Sequence, residues 1–476
     1  RWLHLLSENS NLEVVKVRVE PEEFDYVTPP AANFLLRLRD TRLADITFRI
    51  CEALSDIGIR FPASRAVYIH SRPDLLKDAA FAFLRHRLWP RTLTSAPQID
   101  TAHPTVDFWP MIEDEVRAGL QPILNAKALE AALREINANI QEEAIVFVGR
   151  RADWEAYLNH LLPRPDVIIG THFSGPEGVA LAAAARELEI PLVTLQHGAT
   201  RELSTRHDAN PITFETQIAD LHLTFNAQHA RISETAVGAI GKSVTVGAPA
   251  YYKPRKAQSV MRALSRKKMP EIWYISSGLY IGGRDQLHRM MSDDEVCKFE
   301  TDLIDHVFAK IERPLLYKPY PARRYLDPDP VVACAKSVDT IDVVENALDL
   351  RHSVHHSRVL ITSRSGSTVG YCLSQSIPVV YLLPSQVNLR PEAEAALRRS
   401  VFFFDASEPK FHENLVTFLK RPIREIESLW RDLAPEREEF MKQFIAVNLG
   451  GAGAKIASEL AQLMKDSNSR EIKDVV

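Results

Sequence analysis

The sequence has few cysteines, little net charge and no long apolar run, and each shortage excludes a class of protein. Its 476 residues contain four cysteines, which are scattered without paired spacing and so argue against a disulfide framework or a zinc motif. A formal net charge of −4 gives no reason to expect nucleic acid as a partner. Neither a bilayer-spanning run nor a signal peptide is recognisable. We therefore expect a soluble protein of the reducing cytoplasm.

Metal-binding motifs are also scarce. His352, His355 and His356 have the spacing i, i+3, i+4, which places side chains on one face of a helix. No carboxylate motif accompanies them, so we expect surface histidines rather than metal ligands. The sequence thus predicts neither a metal nor another cofactor.

The chain does contain a regular alternation of short apolar runs and helical segments. Residues 14–19 alternate like a half-buried strand, whereas residues 89–110, rich in Pro, Thr and Ser, are predicted as a loop. From residue 144 onward the alternation is regular, and residues 144–149 are predicted as its first strand. Strands that alternate with helices indicate βαβ units and a parallel sheet, and the length of the chain favours two domains.

The predicted domain boundaries follow this rhythm. Residues 1–140 are mixed and mostly helical, and we expect them to contribute to the first domain, which continues over 141–252. The second domain spans 269–450, followed by a C-terminal helix and tail at 451–476. The segment 253–268 carries seven Lys or Arg and no Asp or Glu. It is expected to be a solvated linker, with contact to anionic lipid or a charged glycan as the alternative.

The most informative motif follows the apolar run 191–195, which is typical of a buried parallel strand. Gln196, His197 and Gly198 come directly after it, and ligands of open α/β sheets lie beyond the carboxyl ends of the strands. Gly198 permits a tight turn and close approach to a ligand, while His197 can donate, accept or stabilise an anion. We predict a site here; the alternative is a histidine that merely caps a strand end.

A carboxylate is expected in the same cleft. Ser174 and Glu177 form a capping-box pattern at the start of a predicted helix, and capping alone could explain both residues. Glu177 would also lie beside the strand that bears His197, where it could act as general base on an acceptor hydroxyl. Asp208, in the loop after the tripeptide, competes for this role.

The second half repeats the arrangement of a strand with a polar tip. Ser276, Ser277 and Gly278 follow the apolar run 272–275, and their small side chains and exposed N–H groups could bind phosphate. The segment matches neither the phosphate-loop nor the dinucleotide fingerprint. A flexible loop is the alternative.

A cationic turn follows another predicted strand. Lys318 and Tyr320 stand beside two prolines that stop the strand, and Arg323 and Arg324 come soon after. Three cations in so short a window suit a phosphate or a carboxylate, whereas an exposed basic turn is the alternative.

A hydroxyl-rich turn completes the set. Arg364, Ser365, Gly366, Ser367 and Thr368 lie between a predicted strand and a predicted helix. Hydroxyls and free amides at the start of a helix favour an anion. Capping by Ser or Thr would explain one of these residues but not the whole group.

In this order, the motifs resemble those of GT-B glycosyltransferases of bacterial capsule and lipopolysaccharide synthesis, in particular the group of Kdo transferases and polysialyltransferase-like enzymes. That group has a Gln-His-Gly in the first domain, matched by residues 196–198. In the second domain it has a Lys-Pro-His-Pro and a Ser/Thr-rich element, matched by 318–321 and 365–368. Tyr320 departs from the pattern, because it replaces the usual histidine. The resemblance covers about residues 144 to 460.

The resemblance implies an α/β fold of the GT-B type, in which two Rossmann-like parallel-sheet domains face a central cleft, with extra N-terminal helical segments. It implies transfer of a sugar from a nucleotide donor to a glycan or glycolipid acceptor without a metal, with peripheral contact to the inner membrane. The favoured donor is a CMP-linked 3-deoxy sugar acid such as Kdo or a sialic-acid relative. His197, Glu177 and Asp208 would be catalytic. The implied donor contacts are Gln196, Gly198, Ser276, Ser277, Gly278, Lys318, Tyr320, Arg323, Arg364, Ser365, Gly366, Ser367 and Thr368.

Other functions fit the same motifs. A nucleotide-sugar 2-epimerase or hydrolase would need no polymeric acceptor, and a CDP-polyol phosphotransferase would use a different donor. A noncatalytic binding protein is the remaining alternative, but polar motifs concentrated at predicted strand ends favour an enzyme.

Overall fold

A computed structural model describes residues 43–59, 64–70, 75–76, 79–94, 96–97, 107–205, 215–253, 269–276, 291–320, 329–344 and 350–473. Within these residues, twelve strands form two parallel six-stranded sheets. The strands are β1 (Arg65–Ile69), β2 (Leu88–Thr92), β3 (Val167–Gly170), β4 (Leu192–Leu195), β5 (Leu221–Thr224), β6 (Lys242–Thr245), β7 (Ile272–Ile275), β8 (Leu315–Lys318), β9 (Ile341–Val343), β10 (Val359–Thr362), β11 (Val379–Leu383) and β12 (Phe402–Asp405).

Helices cover the faces of both sheets. Those of the first half are α1 (Leu43–Asp56), α2 (Ala80–Arg85), α3 (Glu113–Leu120), α4 (Ala126–His160), α5 (Gly175–Glu187) and α6 (Ala227–Glu234). Those of the second half are α7 (Asp293–His306), α8 (Pro330–Lys336), α9 (Leu350–Ser353), α10 (Ser367–Leu373), α11 (Pro391–Ser400), α12 (Phe411–Leu419), α13 (Ile423–Asp432), α14 (Ala434–Phe440) and α15 (Ala452–Lys473).

The first sheet has the strand order β2-β1-β3-β4-β5-β6, and the second has the order β12-β11-β10-β7-β8-β9. Every residue of β3, β4, β5, β7, β8, β10 and β11 is buried, which is why most of these strands are apolar runs. In β5 the polar His222 and Thr224 alternate with leucines and are buried too. The chain reverses its direction across the sheet between β1 and β3 in the first domain and between β7 and β10 in the second. Ligands of doubly wound sheets bind at such reversal points.

Two local predictions are wrong, and side-chain burial explains both. Residues 144–149 lie inside α4: Ala144 and Val148 are buried, whereas Ile145 and Val146 are 55% and 46% exposed, a helical spacing rather than an alternating one. The boundary predicted at residue 140 therefore falls within one continuous helix. The loop predicted from residue 89 contains β2, whose Pro90 is tolerated because β2 is the edge strand of its sheet. The strand predicted at 14–19 lies outside the described residues.

The chain returns to the first domain after completing the second. The N–H of Val447 donates to the carbonyl of Phe225 at 3.1 Å, and Leu449 forms a bridge with Ala248. Helix α15 then packs against α2. Among the helices of the described residues, none combines the length and the apolarity that crossing a membrane requires.

Candidate functional site

The carboxyl edges of the two sheets face each other and meet at Gly198. A Cβ atom added to Gly198 would overlap the Cβ of Ser367 and lie 3.2 Å from its Cα. Only glycine therefore fits at this position without moving the start of α10. The Gln-His-Gly segment of the first domain and the hydroxyl-rich turn of the second are brought together, as the sequence predicted.

Further contacts hold the loop after β4 against the second domain. The Ser204 hydroxyl donates to the carbonyl of Asn388 at 2.9 Å, and the N–H of Arg390 donates to the carbonyl of Leu203 at 2.8 Å. A single apolar cluster also runs through both domains and includes Ala199 and Val369. The loop that carries His197 is therefore fixed by both halves of the protein.

Gln196 supports this loop from within. Its side-chain nitrogen donates to the carbonyl of Gly198 and to Glu202 Oε1, each at 2.9 Å, and its oxygen accepts from the N–H of Phe225 at 2.6 Å. The residue is buried. These contacts give Gln196 a positioning role rather than a place on the cleft surface.

Glu202 lies beneath the loop and binds several of its neighbours. Sequence reasoning did not identify it. The carboxylate is fully buried and accepts hydrogen bonds from Gln196, the N–H of Thr200, Asn226 and His229. Burial opposes ionisation, but the adjacent His229 and the hydrogen bonds outweigh it and hold the pKa of Glu202 below its ordinary value. The Asn226 amide also donates to two carbonyls of the returning chain, at Phe444 and Ile445.

Three neighbouring strands of the first sheet, β1, β3 and β4, each end beside a histidine. These are His70, His172 and His197. Of the three, only His197 was predicted as a site residue, and its side chain is exposed. His70 stacks on Phe173, with ring centroids 5.4 Å apart. Burial and the nearby His197 lower the pKa of His172, while burial and His172 lower that of His70 against an opposing effect of Glu177. The signal in the sequence was the same as for His197, a histidine within two residues of a strand.

Glu177 lies on the first turn of α5 in an ion pair with Arg150. Nε of Arg150 donates to one carboxylate oxygen at 2.6 Å and Nη2 donates to the other, and Asp153 binds the same guanidinium. The side chain of Ser174 makes no capping hydrogen bond in the described structure, so the capping-box alternative does not account for Glu177. Asp208 lies outside the described residues.

In the second sheet the neighbouring strands β8, β7 and β10 end in polar side chains. Lys318, the last residue of β8, is 3% exposed, whereas Tyr320 is 40% exposed. The guanidinium of Arg364, which follows β10, lies 5.7 Å from the centroid of the Tyr320 ring, a cation–π distance. Arg364 and Tyr320 therefore form one surface beyond the carboxyl ends of β10 and β8.

Ser276, at the end of β7, is directed into the protein. Its hydroxyl donates to Glu300 at 2.7 Å and lies 2.8 Å from the hydroxyl of Tyr317. The buried Glu300 carboxylate also accepts from the hydroxyls of Tyr317 and Tyr274. Burial and the charge of Glu300 raise the pKa of both tyrosines well above the ordinary value, so they remain neutral donors. Sequence reasoning missed Glu300.

The hydroxyl-rich turn has an open side. Ser365 is buried, and Ser367 and Thr368 are half-buried. A Cβ atom on Gly366 would meet no described atom within 4 Å, so this glycine borders free space. Ser277, Gly278, Arg323 and the linker 254–268 lie outside the described residues.

Two Rossmann-like domains with facing carboxyl edges, and a terminal helix that returns to the first domain, constitute the GT-B fold. The predicted fold class is thereby confirmed. No known family model matches the sequence, and no curated protein matches it.

Solved structures of this general arrangement are similar to the chain at a distance. They include MurG from Acinetobacter baumannii, with 14% identity, coverage of 84% of this chain and 99% of that one, and a TM-score of 0.42. MnaA from S. aureus with UDP shows 15% identity, coverage of 84% and 97%, and a TM-score of 0.46. Phytolacca americana UGT2 with UDP-2fluoro-glucose and pterostilbene shows 12% identity, coverage of 85% of this chain and 100% of that one, and a TM-score of 0.43. Similarity at this level does not transfer a ligand or an activity.

Proposed function

We propose that the chain is a glycosyltransferase that moves a sugar from a nucleotide donor to a glycan or glycolipid acceptor. The contact between Gly198 and Ser367 carries the proposal. It brings the segment that carries His197 against the hydroxyl-rich turn at the start of α10. A group that takes the acceptor proton and groups that stabilise the leaving phosphate would act on opposite sides of one reacting centre.

The second domain would hold the donor. Breaking the bond between sugar and phosphate leaves negative charge on the phosphate, and donors fixed in advance stabilise that charge. Lys318 and Arg364 supply positive charge, and Ser367 and Thr368 supply hydroxyls. Transfer by this route requires no metal in the cleft. Ser277, Gly278, Ser365, Gly366 and Arg323 remain proposed donor contacts, whereas Gln196 and Ser276 are proposed to act through the residues that they position.

Tyr320 replaces the histidine of the motif that the sequence resembles. Its ring cannot supply a charge, but Arg364 lies over it and can. We therefore assign the cationic role to Arg364 and a stacking role to Tyr320. The favoured donor is a CMP-linked 3-deoxy sugar acid, because the same cations could pair with both the phosphate and the sugar carboxylate.

The first domain would hold the acceptor. His197 is the exposed imidazole of the loop that meets the second domain, and imidazole is the side chain used most often for proton transfer. Glu177 is the weaker candidate for the base, because Arg150 binds both of its oxygens. Asp208 remains a third candidate. A cytoplasmic location with contact to the inner membrane belongs to the same proposal.

A thermal-shift panel with CMP, CDP, UDP, GDP and ADP tests the donor assignment. Ligand at 100 times its Kd adds about 2.7 kcal/mol to the free energy of unfolding, and we expect the largest shift with CMP. Arg364→Met should reduce the shift. Arg399→Met, at an exposed position on α11 whose guanidinium bonds its own helix, is the matched control and should not.

The same panel can contradict the proposal. No shift with any nucleotide would remove the donor site. A preference for UDP would retain the transferase and replace the donor. Turnover of the nucleotide sugar without any acceptor would instead establish the epimerase or hydrolase alternative.

A further inference from the structure

A second cluster of titratable side chains lies inside the first domain, away from the cleft surface. Glu215 precedes β5, His222 lies within β5 and His229 lies on α6. All three residues are less than a tenth exposed. One potential ligand atom from each lies within 4.8 Å of the other two, although the residues come from three separate elements.

Both imidazoles are anchored through the same nitrogen. Nδ1 of His222 is 2.9 Å from the hydroxyl of Thr194, and Nδ1 of His229 is 2.9 Å from Glu202 Oε2. Metal-binding histidines are usually oriented in this way, with the second ring nitrogen bound to a carboxylate or another polar group. The Nε2 atoms are thereby left as the atoms available to a ligand.

Within the described part of the chain, Nε2 of His222 makes no hydrogen bond, and Nε2 of His229 makes none with good geometry although Glu215 Oε1 lies 3.2 Å away. Buried polar atoms are nearly always paired, so the unpaired His222 nitrogen in this cluster needs an explanation. The rings are close, with centroids 5.4 Å apart. The geometry therefore shows a buried His222 nitrogen without a partner, beside a His229 nitrogen that meets Glu215 without an aligned hydrogen bond.

Glu215 supplies the third donor in a fixed orientation. Arg201 binds its Oε2, which leaves Oε1 at 3.2 Å from Nε2 of His229. Ligand bonds of about 2.0 to 2.2 Å in a tetrahedral zinc site place neighbouring donor atoms about 3.3 to 3.6 Å apart. The Glu215–His229 separation already approaches that spacing.

We propose that Glu215, His222 and His229 bind a divalent transition-metal ion of the zinc type. Two imidazoles and one carboxylate suit zinc, whereas magnesium and calcium prefer oxygen ligands alone. Three protein ligands leave a fourth position for water. Glu202 and Thr194 would orient the two histidines.

The metal would be structural, because its ligands are buried beneath the loop rather than in the cleft. The metal would join β5, α6 and the segment at Glu215. Glu202 binds both His229 and the loop that bears His197, so it would connect the metal site to that loop. Without a metal, the same cluster would be an ion-pair network in which a protonated His229 bridges Glu202 and Glu215. The two arrangements differ in whether the cluster contains a metal ion or a proton.

Metal analysis of the purified full chain distinguishes them. We expect one zinc per chain after gel filtration, retained through brief exposure to a weak chelator. Replacing zinc with Co²⁺ should give the visible absorption of a tetrahedral site. His222→Gln should abolish both the bound zinc and the Co²⁺ absorption. Thr194→Val keeps the side-chain shape but removes the hydroxyl that orients His222, and it should weaken Co²⁺ binding by about 10- to 100-fold.

The control is a histidine–carboxylate pair on the surface. Nε2 of His412 lies 2.7 Å from Asp302, and His412→Ala should leave metal content and the Co²⁺ spectrum unchanged. Folded wild-type protein that takes up neither zinc nor Co²⁺ would overturn the proposal and establish the ion-pair network. Metal lost in His412→Ala, or kept in a folded His222→Gln variant, would overturn the assignment to this cluster.

Discussion

Gly198 of the first domain lies against Ser367 of the second, with no room between them for a side chain. The two residues are far apart in sequence, and each belongs to a motif at the end of a parallel strand. Their contact fixes the distance between the two faces of the cleft. It also makes Gly198 a position where one added methyl group should disturb the contact between the two domains.

Gly198→Ala should separate the two domains locally. The added methyl overlaps Ser367, and overpacking of this kind costs about 1 to 3 kcal/mol. We expect a lower melting temperature and weaker nucleotide binding. Gly366→Ala, in the same interface but with free space at its Cβ, should change the free energy of unfolding by less than about 0.5 kcal/mol. Equal loss of stability in both variants would contradict the close approach.

His197→Ala and Glu177→Gln should differ strongly in transfer rate. Loss of a general base lowers the rate by about 100- to 10,000-fold, and we expect a loss in this range for His197→Ala. Glu177→Gln removes a partly exposed ion pair with Arg150, worth about 0 to 1 kcal/mol of stability, and should lower the rate less than tenfold. Single-turnover rates over a range of pH provide the measurement. The reverse order of the two effects would move the base to Glu177.

Tyr320→Phe should bind nucleotide like the wild type, because the ring beneath Arg364 is retained. Tyr320→Ala removes a cation–π contact worth about 0.5 to 1 kcal/mol at an exposed site, which corresponds to a two- to fivefold weaker Kd. Tyr320→His, the residue of the motif that the sequence resembles, should keep binding within this range. Isothermal titration with the preferred nucleotide gives the values. A larger loss in Tyr320→Phe than in Tyr320→Ala would argue that the hydroxyl, not the ring, is recognised.

Acid should destabilise the protein through His70 and His172. The pKa values of both are lowered in the folded protein, so below about pH 6.5 the unfolded chain takes up protons that the folded chain does not. Their contribution to stability is therefore complete above pH 6.5 and is lost as the pH falls toward the lowered values. Urea unfolding at pH 7.5 and 5.5 measures the loss. It should be smaller in His172→Gln; an unchanged pH dependence would show that other groups dominate.

The sequence was most informative where a long-range pattern decided the structure. Apolar runs followed by polar residues located β3, β4, β7, β8, β10 and β11, because strands buried on both faces contain few polar residues. Because the strands are parallel, their carboxyl ends lie at one edge of each sheet. The contact between the segments that carry Gly198 and Ser367 could therefore be anticipated. The short distance between Gly198 and Ser367 could not be anticipated, because it depends on how α10 packs.

The failures have local physical causes. A six-residue apolar run such as 144–149 suits a helix as well as a strand, and only the alternate exposure of Ile145 and Val146 decides between them. The direction of a side chain at a strand end is equally hidden. Gln196 and Ser276 turn inward because Glu202 and Glu300 lie beneath them, and those buried carboxylates come from distant segments.

The return of the chain at Val447 and Leu449 has a consequence for biosynthesis. Helix α15 is translated after both sheets, yet it completes the half that leaves the ribosome first. On a nascent chain, the first domain therefore lacks the helix that packs against α2 until the second domain has also been synthesised. Stop codons shortly before Ala452 should consequently damage the domain farthest from them in sequence.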